Sequence, residues 1–519
     1  MTRGLSAAPT GRAKAPQPLS FAGVDRLRAT AILALVLATV AVGLGTALDP
    51  AVAALVVGVT IAVIGVIVVG DRIGDAFLGA LAVMLVGYAF LGRSFAYLGV
   101  APLYLGELAL PIALVALVRC RERDRFQPIH GLLLVFMAWG ALQTVPYLPR
   151  YGIDALRDAV TWGYGLYAIA VSFILTSRHL RAGISVYGRL IPVFLLWVPV
   201  AALLTLFVSL PNVPGSAVPI VVFKGGDFGV HLAGIAAFIF LGLYAAGRGI
   251  RLPEPLIWIP WLFAVAVAGI LNRGGLVAAS MAAATLLYVR AATRWLAVIF
   301  IAVILMVPVI LIDPRIELGT GREISVGQMV DNVTSLFGEA DNPGLEGTKE
   351  FRLRWWSTIV GYTIGGPYFW TGKGYGINLA DDDGFQPTAD HSLRAPHNTH
   401  IEILARSGVP GLLLWIVLQA AYGLSLLRAA ARARARGDTA WVPVLGFIFI
   451  YWLAALMNAS FDPYLQGPQG GIWFWSMFGV GLAAMRMAER EEAYEGPGEV
   501  AAGGPVVERQ GPAVEPAPG

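Results

Sequence analysis

The chain has 519 residues, of which 57% are hydrophobic and 13% charged, and its mean hydropathy is +0.70. A soluble domain carries roughly 25% charged residues, so this composition excludes a soluble globular protein. The net charge of +4 is small, and the basic residues sit in short loops between apolar blocks, which argues against a nucleic-acid partner. The apolar residues fall in blocks of about 16–22, the length of helix that crosses a hydrocarbon core of about 30 Å. Strands of a membrane barrel would instead alternate over about 10 residues.

In chain order, residues 1–20 are Pro/Ala/basic and lack the apolar core and cleavage site of a signal peptide, and residues 1–28 read as a disordered cytoplasmic N-terminus. Spans one to eleven are predicted at 29–46, 51–70, 75–91, 101–118, 129–146, 158–176, 189–209, 229–246, 255–271, 275–289 and 294–312. A long loop follows at 313–408, then spans twelve to fourteen at 409–427, 441–459 and 470–486. Residues 488–519, rich in Glu, Gly and Pro, read as a disordered tail. Cys120 is the single cysteine, so no intrachain disulfide and no cysteine metal cluster can form.

Orientation follows from the basic residues flanking the spans. Even-numbered gaps hold Arg72; Arg119, Arg121, Arg123 and Arg125; Arg178 and Arg181; Arg248 and Arg251; Arg290 and Arg294; and Arg428, Arg432, Arg434 and Arg436. Odd-numbered gaps are poorer, with Arg93, Arg150, Arg157, Lys224 and Arg273. The bias places both termini in the cytoplasm and the long loop outside. Four lysines against thirty-three arginines fit a GC-rich bacterial genome, so the expected location is a bacterial cytoplasmic membrane.

A transporter should carry ionisable or unwound positions in mid-membrane, and here only Glu107 and His231 stand out, both toward outer ends. The unusual residues gather in outer loops instead. Lys224 lies in Val222-Phe223-Lys224-Gly225-Gly226-Asp227, and Arg273 in the tight turn Asn272-Arg273-Gly274-Gly275. The long loop holds His391, Arg394, His397 and His400, and a loop of that length is rarely an inert connection. Within it, Phe351, Trp355, Trp356, Ile359 and Tyr362 recur with helical spacing over 350–364, which predicts a helix lying along the membrane interface, with Arg352 and Trp356 on one face. Gly365-Gly366-Pro367 and Gly372-Lys373-Gly374-Tyr375-Gly376 read as a turn; such glycines permit close backbone approach to a phosphate, although a simple loop is the default for that spacing alone. Asp381-Asp382-Asp383 reads as a solvated acidic loop rather than a cation site, and no metal set is expected.

The run Pro396-His397-Asn398-Thr399-His400-Ile401-Glu402, continuing to Ser407-Gly408-Val409-Pro410-Gly411-Leu412, resembles the signature of the O-antigen ligase and polymerase family. Arg352, Trp356, Pro367 and Gly372 to Gly376 are similar to that family's Arg-x-x-x-Trp helix and glycine-rich turn, and Asn272-Arg273-Gly274-Gly275-Leu276 to its Ser-Arg-Gly-Ala-Leu turn. The likeness covers 350–425 and the neighbourhood of 273, and is only architectural over spans one to seven. Two departures are Lys224, where the family often has arginine, and fourteen spans rather than roughly twelve.

The resemblance implies an all-α polytopic, GT-C-like membrane glycosyltransferase. It would move a glycan from a polyprenyl-diphosphate donor to an acceptor hydroxyl outside the membrane, by an inverting mechanism without metal or cofactor, in cell-surface polysaccharide biosynthesis. The same resemblance implies a general base at His397 and a cation for the diphosphate at Arg273. Lys224, Arg352, Arg394, Asn398, Gly374 and Gly376 are the substrate-binding candidates. The expected partners are the lipid-linked glycan, a glycan or lipid acceptor, membrane lipids, and a flippase or chain-length regulator. His391 and His400 read as structural. A repeat-unit polymerase shares the same donor site and stays open as an alternative, as do a small-anion or bicarbonate transporter and a non-catalytic scaffold.

Overall fold

A computed structural model describes residues 72–100, 103–119, 125–245, 253–271, 276–289, 296, 298–304, 316–318, 322–324, 327 and 343–490. The two predicted N-terminal spans, Cys120, the Arg273 turn, most of the eleventh span and the tail from residue 491 lie outside them. The described residues are almost all helical, with only two short antiparallel ladders, Gly99–Val100 with Leu103–Tyr104 and Ile316–Leu318 with Arg322–Ile324.

We number the helices α1 (Ile73–Leu91), α2 (Leu105–Arg119), α3 (Pro128–Thr144), α4 (Ile153–Gly163), α5 (Gly165–Ile174), α6 (Ser177–Phe207), α7 (Gly225–Phe240), α8 (Glu254–Leu271) and α9 (Leu276–Val289). Within the long loop lies α10 (Pro343–Ile364), and α11 (Thr399–Ala435), α12 (Trp441–Ala459) and α13 (Pro468–Glu489) follow. Five apolar segments are long enough to cross a membrane: Ile73–Tyr97, Pro128–Tyr151, Ser177–Phe207, Thr399–Ala435 and Trp441–Ala459. Each exceeds about 27 Å at about 1.5 Å per residue. Shorter apolar helices, α5, α7 and α8 among them, fill the space between. Every residue of α7 is buried, because α8, α9 and α12 pack around it. Around this centre α13 packs on α5 and α12, and α11 on α3, α10 and α12.

Three local departures from the hydropathy reading have clear causes. The predicted sixth span, 158–176, is two helices, α4 and α5, broken at Tyr164. Helix α4 is amphipathic and carries Asp154, Arg157 and Asp158, so it belongs to the polar end of the bundle. The predicted seventh span begins twelve residues earlier than hydropathy places it, at Ser177, because Thr176 accepts the His179 amide and the His179 ring approaches the Thr176 amide. Arg178 and Arg181 therefore lie on helix rather than loop. Finally, α11 enfolds the predicted start of the twelfth span. Its backbone leaves helical geometry at Gly408 (φ 68°, ψ −173°), which separates the amphipathic turn Thr399–Ser407 from the apolar helix beyond.

The helix predicted over 350–364 is present within α10, but its apolar face does not lie on lipid. Trp355 and Ile359 are fully buried against Leu379, Ala380, Leu404 and Ala405, with Phe351, Tyr362 and Phe385 closing the edge. The long loop supplies its own apolar residues, so it forms a small core against α11 and leaves Leu353, Val360 and Ile364 outward.

Candidate active site

One end of the bundle gathers loops from across the chain. Lys224 is the N-cap residue of α7, His397 precedes α11, Arg352 lies on α10, and the segment between α12 and α13 supplies Asp462. Arg352 donates to the Phe461 carbonyl at 3.3 Å, Thr399 donates to the Asp462 carbonyl at 3.3 Å, and the Lys224 ammonium pairs with the Asp462 carboxylate. These contacts bring four distant stretches of sequence to one place.

His397 is held there by its neighbours on both sides. Trp356, one turn along α10 from Arg352, donates its indole N–H to the Pro396 carbonyl at 2.7 Å. Asn398 accepts from the His400 and Ile401 amides at 2.9 and 3.1 Å, capping α11. Between these two anchors His397 adopts φ 53°, a left-handed conformation that costs a non-glycine residue about 1–3 kcal/mol. The result is a half-buried imidazole that hydrogen-bonds to none of the described residues. Burial, followed by the positive charge of Arg352, holds its pKa down to about 4; Asp462 opposes this, and Lys224 adds a smaller push in the same direction as Arg352. The ring is therefore neutral, and able to accept a proton, at neutral pH.

The Lys224 side chain is 39% exposed. Burial works against its charge, but Asp227 and Asp462 outweigh that and hold its pKa above the ordinary lysine value. Asp227 in turn accepts from the Asn458 amide at 3.3 Å.

The remaining sequence candidates take supporting positions. Arg394 donates to the Asp158 carboxylate at 3.2 Å and to the Gly376 carbonyl at 2.9 Å. Asp158 also accepts the Gly376 amide at 3.0 Å and pairs with the fully buried Arg406 at 2.9 Å, whose Nε reaches Glu402 at 2.8 Å. Gly374 and Gly376 have φ of 83° and 104° and lie flush against Tyr147 and Tyr151. The Lys373 and Gly374 amides donate to the Ala405 and Arg406 carbonyls at 2.7 and 3.1 Å. The glycine-rich turn thus directs these amides into the protein, and its glycines serve close packing on α4 and α11. The Asn398 side-chain oxygen is likewise engaged as a helix cap. His400 lies between Ser460 Oγ and the Trp415 indole, at 3.1 and 3.0 Å. Of the acidic run, Asp381 meets His391 at 2.7 Å, while Asp382 and Asp383 each meet Lys373 at 2.5 Å. Among the described residues no three His, Cys, Asp or Glu side chains converge as a metal site.

Reading the sequence missed Asp462, Asp158 and Arg406. Asp462 stands alone in Phe461-Asp462-Pro463, and basic residues alone set the expected topology; an acid in the short loop between two apolar blocks was the available signal. Residues 258–416 match the sequence model of the O-antigen ligase family, a stretch that includes α10, the glycine-rich turn, His397 and the Gly408 kink. Over this stretch the chain is similar to the O-antigen ligase family. No curated protein matches the chain. The match excludes Lys224 and Asp462, so this O-antigen ligase-like domain receives two of its four clustered residues from elsewhere in the chain.

Proposed function

We propose that the protein is a glycosyltransferase of the ligase type, moving a glycan from a polyprenyl-diphosphate carrier to an acceptor hydroxyl at the outer face of a bacterial cytoplasmic membrane. The observation that carries this reading is the neutral imidazole of His397, which hydrogen-bonds to none of the described residues and feels the positive charges of Arg352 and Lys224. In the proposed step the acceptor hydroxyl gives its proton to His397 as its oxygen bonds to the anomeric carbon. The bond from that carbon to the diphosphate breaks, and the electron pair leaves on the diphosphate. A single displacement of this kind inverts the anomeric centre. Charge grows on the leaving group, so fixed cations beside it stabilise the transition state more than the ground state. Lys224 and Arg352 would do so in this reading, and Arg273, in the matched stretch, is the third candidate. A polymerase would use the same donor machinery and differ only in the acceptor it admits.

Transfer by the purified protein from a lipid-linked glycan tests the assignment. His397→Ala should lower the rate about 10²–10⁴-fold while donor binding persists. Arg273→Ala should weaken both donor binding and transfer, and Arg273→Lys should restore only part, since lysine lacks the bidentate fork. Near-normal transfer by His397→Ala would remove the base from the proposal. Ligase and polymerase separate in a deletion strain: complete lipid-linked chains accumulate if a ligase is lost, single repeats if a polymerase is lost.

A further inference from the structure

Helix α10 has two apolar faces. One carries Trp355 and Ile359 into the small core of the long loop. On the opposite side Leu353, Val360 and Ile364 recur at i, i+7 and i+11, which makes one stripe at about 3.6 residues per turn, and all three are exposed. Trp370, in the turn after α10, is 68% exposed.

Both ends of this segment are tied to the ends of membrane-spanning helices. From Arg428 back to Gly408, α11 covers about 30 Å at about 1.5 Å per residue, the thickness of a hydrocarbon core. Gly408 therefore marks the boundary of that core. The Val409 amide donates there to the Phe369 carbonyl at 2.8 Å, and Gly408 lies so close to the Phe369 and Trp370 backbone that a Cβ has no room. Helix α12, with 19 residues, covers a similar thickness, and just beyond its end the Phe461 carbonyl accepts from Arg352, beside Leu353. A helix held at both ends at this depth lies along the membrane boundary. Val409, Leu413 and Ile416 share one face of α11 at i, i+4 and i+7, and Leu413 and Ile416 are half exposed along the apolar span. The lipid-facing surface of α11 thus runs up to the Phe369–Trp370 turn.

We propose that the stripe of Leu353, Val360 and Ile364, together with Trp370, rests in the headgroup layer of the leaflet beside the candidate active site. Lipid is the occupant because the stripe continues a surface that already faces acyl chains. A tryptophan suits that layer, with an apolar ring and a polar N–H. The stripe is narrow and has the exposed Glu350–Arg354 pair at its flank, so the contact is shallow rather than inserted. The inference rests on the membrane-spanning helices and stands apart from the glycosyl-transfer reading. Its consequence for the site is positional. Trp356 of the same helix holds Pro396, so the lipid contact sets the height of His397 above the membrane.

The test uses full-length protein in phosphatidylcholine nanodiscs. In a Cys120→Ser background, Val360→Cys, Ile364→Cys and Thr371→Cys would each carry a fluorophore, leaving Trp370 in place. Two quenchers are compared, a phospholipid bearing a nitroxide near its headgroup and aqueous iodide. Leu413→Cys serves as the lipid-facing reference and Ala389→Cys, exposed on the long loop, as the aqueous one. All three test positions should be quenched more by the lipid nitroxide, and less by iodide, than Ala389→Cys is. Quenching like that of Ala389→Cys would place the stripe in water and overturn the proposal. Protection from both quenchers would mean that protein covers the stripe, a second copy if protection rises with two copies per disc, and would overturn it as well. Thermal unfolding checks each variant, and three independent exposed positions keep the answer available if one of them fails to fold.

Discussion

His397 combines a strained backbone with a neutral side chain, and its surroundings dictate how it should respond to pH. In the free protein burial and the neighbouring cations favour the uncharged ring, so kcat/KM should be flat near neutrality and fall only as pH drops through about 4. A bound diphosphate would neutralise Arg352 and Lys224 and remove part of that pressure. The acidic limb of kcat should therefore lie at higher pH than that of kcat/KM. Rate profiles measured at low and at saturating donor check the order; coincident limbs, or the reverse order, would mean the cations do not face the donor. The same group affects stability with a definite sign. Between the ordinary histidine value of about 6.5 and about 4, the unfolded chain binds more protons than the folded one, so His397 favours folding above this window and loses that contribution as pH falls through it. His397 was legible in the sequence because its spacing to Asn398, Gly408 and Gly411 is local. Asp462 was not, because its meaning depends on Lys224, which lies in another loop and meets it only in the folded bundle.

At the scale of elements, the Asp158 carboxylate on α4 ties the glycine-rich turn, the segment at Arg394 and the first part of α11 together. Arg406 is buried to 1% exposure and Asp158 to 8%, so removing the acid leaves the buried guanidinium to Glu402 and takes a carboxylate from Arg394 as well. Asp158→Ala should destabilise the protein by about 3–5 kcal/mol. Asp154→Ala, whose carboxylate is 49% exposed and 3.7 Å from Arg394, should cost at most about 1 kcal/mol. Thermal unfolding of the two variants in one detergent compares them directly, and equal melting temperatures would refute the role given to Asp158. The periodicity over 350–364 revealed a helix and its apolar face. It did not reveal what that face meets, because Trp355 and Ile359 pack equally well on lipid or on a core, and Leu379 and Leu404 decide between them only in three dimensions. The glycine-rich turn misleads in the same way. Positive φ was readable from composition, whereas the acceptors of its amides, the Ala405 and Arg406 carbonyls, were not.

For the whole molecule, apolar blocks set the class, and the five long apolar helices agree with it. Hydropathy averages over a window, so it could not see the break at Tyr164 or the polar start of α6, where a cap rather than apolar content fixes the end. Arg436 and Arg486 donate to the carbonyls of Ala488 and Ser172, at the end of the bundle opposite His397. The expected orientation assigns that end to the cytoplasm and the candidate site to the outside, and thiol labelling tests it. In a Cys120→Ser background, a cysteine at Ala340 should react with an impermeant thiol reagent in intact cells, and one at Arg434 only after permeabilisation. The opposite pattern would invert the topology and move the site to the cytoplasm.

The ion pair between Lys224 and Asp462 has a further consequence for how this protein could be recombined with its relatives. One partner precedes the matched stretch and the other follows it, so grafting residues 258–416 into another scaffold transfers His397 and Arg352 but neither member of the pair. The unit of inheritance is therefore larger than the recognisable domain. A functional exchange between relatives has to carry the loop before α7 and the loop after α12 as well, and chimeras cut at the domain edges inherit His397 and Arg352 without the Lys224–Asp462 pair.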